Sequence, residues 1–312
     1  MLLAMGALLV VGFTDDKYGL PIWMRFLLEI LVVMAMIVFN GNMIDNFYGL
    51  FGLHAIPTYV ALPLSVFTGV GIINAINLID GVDGYSCGYI SITCLSFSVI
   101  FYYSQIYTLF SLCLICACSV VPFFLHNVFG VKSKMFIGDG GTLMLGTLMV
   151  VLAFSMLRTG SMCETLGSYN ISLVALCLAE LALPVIDTLR VMTRRMVNGM
   201  SPFKPDKTHL HHLFIDLNFP HFIAGFICIL LNVVVMVTWL VSWIMGAEAN
   251  IQFAVVCVSM VLVDPILYNV LRYHERHNTC LYHQIRRFAG QMNPETTRFW
   301  KWMNHWIDNE LY

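Results

Sequence analysis

The chain has 312 residues, of which 59% are hydrophobic and only 11% charged, and its formal net charge is −2. This composition excludes a soluble globular protein and indicates several membrane-spanning segments. The small net charge leaves no electrostatic footprint for nucleic acid, so we expect no nucleic-acid partner and a lipid bilayer as the surroundings.

Long apolar runs predict an all-α fold, a polytopic membrane helix bundle with about nine transmembrane helices. The runs cover residues 1–13, 25–40, 58–76, 86–103, 107–125, 142–157, 170–192, 222–245 and 250–271. The first run is shorter than the roughly 20 residues that cross a bilayer. We expect residues 1–271 to form an integral membrane domain and residues 272–312 a cytoplasmic tail.

The distribution of basic residues predicts which side of the membrane each loop occupies. One side receives loops 14–24, 77–85, 126–141 and 193–221 and the tail, and the other receives loops 41–57, 104–106, 158–169 and 246–249. All of the 16 Lys and Arg residues except Arg158 lie on the first side or at its helix ends. The positive-inside rule places that side in the cytoplasm. Every acid- or histidine-rich cluster that could carry chemistry falls on the same side.

An adjacent acid pair, Asp15 and Asp16, closes the first run. Neighbouring side chains on a helix cannot face the same way, so one acid can reach a metal or a proton while backbone or a cation holds the other. Two close carboxylates push their pKa values apart, which suits one of them to act as a general base. A solvated helix end is the plainer alternative.

A second acid pair, Asp80 and Asp83, follows the third run and alternates with Gly81 and Gly84. If both acids lie on the last helical turn, their spacing of three puts both carboxylates on one face. Oxygen ligands beside glycine-rich backbone suit Mg²⁺ and the phosphates that it carries. An Asx-type turn that closes the helix is the alternative.

Asp139 lies in a glycine-rich segment at the predicted start of a helix, in the loop that also contains Asn127. The exposed N–H groups of such a segment bind phosphate, and the carboxylate can hold the accompanying metal. A simple N-cap is the alternative.

The long loop after the seventh run contains His209, His211 and His212, close to basic residues. These are Arg194, Arg195, Lys204 and Lys207. Histidines that contact phosphate fit such surroundings better than zinc, which prefers four Cys or His ligands at wider spacing. A basic loop attracted to anionic lipid headgroups stays open.

Two acids, Glu180 and Asp187, lie within or near the seventh run, where Pro184 predicts a kink. An intramembrane acid indicates function, although Asp187 could simply pair with Arg190 or Arg194.

Four ordered motifs resemble the polyprenyl-phosphate N-acetylhexosamine-1-phosphate transferase family, known as glycosyltransferase family 4. They cover residues 11–16, 74–84, 136–142 and 209–212, and residues 199–206 are similar to the branch of bacterial undecaprenyl-phosphate GlcNAc-1-phosphate transferases. The resemblance implies transfer of an N-acetylhexosamine-1-phosphate from a UDP-sugar to undecaprenyl phosphate, with release of UMP. This reaction would start a lipid-linked cell-surface glycan such as O-antigen, at the cytoplasmic face of a bacterial inner membrane. Mg²⁺ is the implied cofactor, with Mn²⁺ as a substitute.

The resemblance also implies roles for individual residues. Asp139, together with Asp80, matches the metal-binding acids, and Asp15 and Asp16 match the pair that activates or positions the lipid phosphate. The other matched positions would shape the nucleotide pocket or contact phosphate: Asn77, Asp83, Asn127, Arg194, Arg195, His209, His211 and His212. A direct attack by the lipid phosphate and a covalent route through an Asp both stay open, as does a homodimer. The family carries about two further helices before the acid pair, so we expect this chain to be a fragment or to begin at a misassigned start.

Two other classes of function compete with the transferase. A secondary transporter would use Glu180, Asp187 and Asp80 as a proton relay, but it would need acids near the membrane midplane. A membrane scaffold would use the basic tail from Arg272 to Lys301 as a lipid or partner anchor. Neither alternative explains four acid- or histidine-rich motifs on one side of the membrane.

Overall fold

The computed structural model describes residues 1–202 and 207–309, and nearly all of them lie in helices or short connecting turns. The α-helices are α1 (Leu2–Tyr18), α2 (Ile22–Asn40), α3 (Thr58–Leu78), α4 (Tyr85–Tyr103), α5 (Tyr107–Phe129), α6 (Gly138–Leu157), α7 (Leu173–Glu180), α8 (Ala182–Val197), α9 (Leu210–Asp216), α10 (His221–Ile244), α11 (Ala249–Val261), α12 (Leu267–Arg276), α13 (Cys280–Gln291) and α14 (Arg298–Asn309). A hairpin of β1 (Asn46–Leu50) and β2 (Leu53–Ala55) lies between α2 and α3. The predicted all-α, polytopic bundle is confirmed.

The number of spans differs from the nine that the apolar runs predict. Within the described ranges, seven helices are long and apolar enough to cross a membrane, or eight if one bent pair counts as a single span. The first run forms α1, whose 17 residues include the acid pair. The run at 170–192 is divided between α7 and α8, so neither part reaches spanning length. The last span continues through a π-helical segment, Leu262–Ile266, to Arg276.

The division between α7 and α8 has a local cause in Pro184. A proline has no N–H to donate to the carbonyl four residues earlier, which here belongs to Glu180. That carbonyl instead accepts hydrogen bonds from the Tyr89 hydroxyl at 2.8 Å and the Asn232 amide at 3.3 Å. The Asn232 side chain also accepts the N–H of Leu183 at 2.8 Å, so side chains of other helices bridge the break.

Helix α6 is the centre of the bundle, and every residue from Leu145 to Leu157 is buried. Helices α1 and α3 approach it at glycines. A Cβ at Gly12 would lie 2.4 Å from the carbonyl oxygen of Asp139, and one at Gly146 would lie 2.9 Å from Cα of Ile73. Small residues allow such backbone contact between membrane helices. The close packing brings the end of α1 against the start of α6.

Hydrogen bonds between loops and between helix termini mark the two ends of the bundle. Loops 41–57 and 158–169 meet at one end of the bundle, where the guanidinium of Arg158 donates to Asn42 at 3.2 Å. Tyr48 donates to the carbonyl of Arg158, and the N–H of Thr159 donates to Asp45. The acid and histidine motifs gather at the other end.

Candidate active site

The two acids at the end of α1 point to different partners. The carboxylate of Asp15 accepts the N–H of Leu20 at 2.7 Å and the Arg25 guanidinium at 3.2 Å. The carboxylate of Asp16 faces the start of α6, where the N–H of Gly140 lies 3.5 Å away. Backbone and a cation therefore hold Asp15, as the sequence predicts for one member of the pair, while Asp16 reaches the next motif.

Arg25 on α2 joins three acids, and sequence reasoning missed it. Its Nη1 lies 3.2 Å from Asp15 and 3.8 Å from Asp139, and its Nε lies 3.6 Å from the buried carboxylate of Glu29. Glu29 also accepts a hydrogen bond from the amide of Asn74 on α3. The sequence did contain a sign of this contact, because Arg25 and Glu29 are opposite charges four residues apart inside an apolar run. Charges in a membrane segment are costly unless both have partners.

Helix α6 begins at Gly138 and carries Asp139 in its first turn, as predicted. The amide of Asn77, in the last turn of α3, donates to Asp139 at 3.1 Å and to the Thr142 hydroxyl at 2.9 Å. The structure therefore brings together four of the predicted residues at one point: Asp15, Asp16, Asn77 and Asp139.

Asp80 and Asp83 do not share a helical face, which corrects the sequence prediction. Helix α3 ends at Leu78, and both acids lie in the irregular turn that follows. Asp80 accepts a hydrogen bond from the Ser86 hydroxyl, whereas Asp83 forms an ion pair with Lys134 at 2.9 Å. The turn directs the two carboxylates to different partners because the glycines release the chain from the helix.

The pKa of Asp80 is raised above its ordinary value. Burial is the main cause, opposed by the hydrogen bond from Ser86 and reinforced by the negative charges of Asp139 and Asp16. A carboxylate in this position repels further negative charge and favours a cation. Asp80 thus belongs electrostatically to the same group as Asp139 and Asp16.

Asn127 shapes a polar cavity beside the turn. Its side chain accepts the N–H of Gly84 at 2.6 Å and donates to the carbonyl of Met135 at 2.9 Å, so it ties two loops together. The cavity has a volume of about 270 Å³, and its wall consists of Asp80, Gly81, Val82, Asp83, Asn127, Lys134, Phe136 and His221. His221 and Lys134 were not among the predicted site residues.

The histidine motif lies against the turn that carries Asp80. Nδ1 of His209 lies 2.9 Å from Asp187, while Nε2 of His209 and Nδ1 of His211 are buried without a hydrogen-bond partner in the described part of the chain. A Cβ at Gly81 would lie 2.5 Å from Nε2 of His211. Burial, with the neighbouring His212 charge, lowers the pKa of His211 to about 3, and burial also lowers the pKa of His212.

A network of charged side chains around Arg190 of α8 lies next to the histidine motif and holds it in place. Arg190 binds Asp187, as the sequence allowed, and also Asp264 at 2.9 Å and the carbonyl of Thr208 at 3.1 Å. Its guanidinium carbon lies 3.8 Å from the centre of the Tyr268 ring. Asp264 is fully buried in the π-helical segment, and sequence reasoning missed it although an acid inside an apolar run was visible.

Among the described residues, the two other arginines of α8 contact groups outside the acid cluster. Arg194 donates to the Tyr268 hydroxyl at 3.0 Å, and Arg195 donates to the carbonyl of Pro202. Lys204 and the second half of the 199–206 motif lie outside the described residues.

An apolar groove opens next to the polar cavity, with Asp83 on the wall of both. It lies between α4, α5 and α10 and has a volume of about 240 Å³. Its lining includes small residues in or just before α4, namely Gly84, Cys87, Gly88 and Ser91, and the aromatic residues Phe124, Phe222 and Phe226.

Comparison with known proteins identifies relatives of this chain. Residues 1–157 match the family described as glycosyl transferase family 4. The chain is 32% identical over 215 residues to the probable undecaprenyl-phosphate N-acetylglucosaminyl 1-phosphate transferase of Bacillus subtilis. It is 29% identical over 224 residues to the undecaprenyl-phosphate alpha-N-acetylglucosaminyl 1-phosphate transferase of Yersinia pestis, and 28% identical over 220 residues to that of Escherichia coli K12. Each alignment covers 69% of this chain and 57% of the relative, so the chain spans little more than half the length of these proteins.

Proposed function

Because the chain belongs to glycosyl transferase family 4, we propose that it transfers an N-acetylhexosamine-1-phosphate to a polyprenyl phosphate. The donor is a UDP-sugar, most simply UDP-GlcNAc, the acceptor is undecaprenyl phosphate, and UMP leaves. The reaction takes place at the cytoplasmic face of a bacterial inner membrane and starts a cell-surface glycan of the O-antigen type.

One observation carries this proposal, namely the meeting of separate acid motifs at one end of the bundle. Asp139 receives the amide of Asn77 at 3.1 Å and lies 3.8 Å from Arg25, which also holds Asp15. Transfer between two phosphates needs a fixed cluster of charge at the edge of the membrane, where a soluble donor meets a lipid acceptor. A proton relay would instead need acids along the membrane interior.

The donor set fits Mg²⁺. The described residues contain no cluster of three or more His, Cys, Asp or Glu side chains that could hold a metal alone. Magnesium, however, is usually held by one or two carboxylates together with substrate phosphates. Asp80 and Asp139 would supply these carboxylates. Burial is the main cause that raises the pKa of Asp80, and the charges of Asp139 and Asp16 add to it; a cation would compensate this negative charge. A bound Mg²⁺ would neutralise charge that develops on the phosphates during transfer.

Asp16 is the residue of the acid pair that can handle a proton. Among the described residues its carboxylate has only the long contact with the N–H of Gly140 at 3.5 Å, whereas Asp15 is engaged by Leu20 and Arg25. A phosphate monoester has a second pKa near 6, so part of the acceptor carries a proton at neutral pH. Asp16 would take that proton and leave the acceptor phosphate as the attacking dianion.

Arg25 and the histidine motif would bind the phosphates of the donor. Nε2 of His209 and Nδ1 of His211 are buried and have no hydrogen-bond partner among the described residues, and phosphate oxygens supply partners of the required kind. Nε2 of His211 would lie 2.5 Å from a Cβ at Gly81, so the His211 ring lies beside the turn that carries Asp80. Asp187 fixes the orientation of His209, and Arg190 in turn fixes Asp187.

The polar cavity suits the nucleotide of the donor. Phe136 is 65% exposed on its wall, and Nζ of Lys134 lies 5.7 Å from the centre of its ring. An exposed aromatic face beside a cation stacks well with a nucleobase. Asp83 and the polar groups around it supply hydrogen-bond partners for the base and ribose.

The apolar groove suits the isoprenoid chain of the acceptor. It begins at Asp83, on the wall of the polar cavity, and continues between three membrane helices. A polyprenyl chain bound there would keep its phosphate at the site while its tail stays in an apolar environment.

The test is a transfer assay with the chain in lipid vesicles, a panel of UDP-sugars, undecaprenyl phosphate and Mg²⁺. We expect release of UMP and formation of a lipid-linked sugar, both of which stop when EDTA removes the metal. Uptake of a UDP-sugar into vesicles without release of UMP would instead identify a transporter and overturn the proposal.

A further inference from the structure

A single carboxylate on the last helix, Asp308, binds three consecutive backbone groups of the loop after α5. The N–H groups of Val131, Lys132 and Ser133 lie 3.1 to 3.3 Å from its oxygens, and the Ser133 hydroxyl donates to it at 2.7 Å. These four donors come from residues 175 to 177 positions earlier in the sequence. A carboxylate that accepts several N–H groups behaves as an anion in a small backbone nest.

The helix that carries Asp308 is seated by apolar packing on the end of α5. The rings of Phe129 and Trp300 lie with centroids 4.6 Å apart, and Trp300 also meets Phe222 at 5.4 Å. Met303 and Ile307 are buried in the same small cluster, which is separate from the main core. The hydrogen bonds of Asp308 are therefore made by a helix that has its own docking surface.

The loop that Asp308 holds continues directly into the wall of the polar cavity. Lys134 pairs with Asp83 at 2.9 Å, and the carbonyl of Met135 accepts the amide of Asn127. Phe136 follows, and two residues later α6 begins. This loop has no helix or strand of its own between Gly130 and Ile137. Its position therefore depends on side-chain contacts. At its first end these come from Asp308 and from His126, whose Nδ1 lies 3.1 Å from the Ser133 hydroxyl oxygen and 3.2 Å from the Ser133 carbonyl oxygen.

We infer that Asp308 is a positioning residue for the nucleotide-binding wall, acting on Lys134 and Phe136 through the backbone of residues 131–133. This inference rests on the proposed function for the identity of the donor. Burial acts to raise the pKa of Asp308, but the Ser133 hydroxyl and the three N–H groups lower it to about 2. The side chain is therefore ionised at neutral pH, as the hydrogen bonds from the three N–H groups require.

The experiment compares Asp308→Ala, Asp308→Asn and Asp308→Glu with Glu295→Gln, which removes a negative charge from an exposed residue of the same tail. The first readout is amide hydrogen exchange of residues 131–136 in the full chain. We expect exchange at 131–133 to rise about tenfold in Asp308→Ala and less in Asp308→Asn, since charged hydrogen bonds are lost. Asp308→Glu should restore most of the protection, and Glu295→Gln should change nothing.

The second readout is steady-state kinetics with UDP-GlcNAc. We expect KM for the donor to rise about tenfold in Asp308→Ala while kcat falls less than threefold. A tenfold fall of kcat without a change in KM would overturn the inference. Unaltered hydrogen exchange at residues 131–133 would overturn it as well. If the wild-type chain gives no transfer at all, the proposed function fails while the exchange data still decide whether Asp308 holds the loop.

Discussion

The side-chain amide of Asn77 donates a hydrogen bond of 3.1 Å to the carboxylate of Asp139, a residue 62 positions later in the chain. The same amide nitrogen reaches the hydroxyl of Thr142 at 2.9 Å, so the end of α3 is locked to the first turn of α6. The motifs at 74–84 and 136–142, which are separate in the sequence, therefore form one structural unit. Arg25 connects the acid pair of α1 to this unit through its contacts with Asp15 and Asp139.

Asp139→Asn should lower kcat by at least about a hundredfold and leave the fold intact. The amide oxygen can still accept the hydrogen bond from Asn77, but it lacks the charge that would hold Mg²⁺. Transfer assays across a range of Mg²⁺ concentrations check this expectation. Glu248→Gln, an exposed acid at the start of α11, is the control. Near-normal turnover of Asp139→Asn at saturating Mg²⁺ would remove the metal role from this residue.

Gly12→Ala should destabilise the protein and abolish activity, whereas Gly6→Ala on the same helix should be harmless. A Cβ at Gly12 would lie 2.4 Å from the backbone of Asp139 and Gly140, which cannot yield as a side chain would. Nothing lies within 4 Å of a Cβ at Gly6. Thermal midpoints and transfer rates of the two variants test the contact. Equal behaviour of both would mean that α1 does not pack against α6 at this point.

The protein should lose stability as the pH falls below about 6.5, and His211 should contribute to that loss. Its pKa is about 3 in the folded protein, against an ordinary value near 6.5, because the ring is buried. The unfolded chain therefore binds one more proton in this window, so stability is complete above pH 6.5 and declines toward pH 3, by at most about 1.4 kcal/mol per pH unit.

Unfolding of His211→Gln measured between pH 7 and pH 4.5 checks this contribution. The variant should show a flatter decline of stability with falling pH, because glutamine does not titrate. His283→Gln, at an exposed position of α13, should keep the wild-type slope. A His211→Gln slope equal to that of wild type would assign the acid sensitivity to other groups.

Ile92→Trp should raise the KM for undecaprenyl phosphate and leave the KM for the donor unchanged. Ile92 lines the apolar groove, and an indole there would occupy space that the isoprenoid chain needs. Ile115→Trp, at a position of α5 that is 66% exposed and outside the groove, is the control. If short-chain and long-chain acceptors are affected alike by Ile92→Trp, the groove does not hold the chain.

The sequence predicted the all-α fold, the positions of most spans and the different directions of the Asp15 and Asp16 side chains. These features could be predicted because apolar periodicity and helical spacing are local properties. The sequence prediction was wrong about Asp80 and Asp83, since α3 ends at Leu78 and the turn that follows directs Asp80 to Ser86 and Asp83 to Lys134. Arg25, Glu29 and Asp264 were overlooked inside apolar runs, where their partners come from distant helices and appear only in three dimensions. Asp308 lies in a tail whose composition gives no sign of the loop that it binds.

The bridged break between α7 and α8 bears on how this molecule can move. A broken membrane helix often serves as a hinge, since its unpaired backbone groups exchange partners as it bends. Here the carbonyl of Glu180 has two donors and the N–H of Leu183 has an acceptor, and opening the break inside the bilayer would cost several kcal/mol for each group released. The break between α7 and α8 is therefore rigid. Helix α8 keeps its direction, so Asp187 and Arg190 stay in place. We therefore expect motion that admits substrates in irregular segments rather than at this break, for example in the turn after α3, which carries no regular hydrogen-bond ladder of its own.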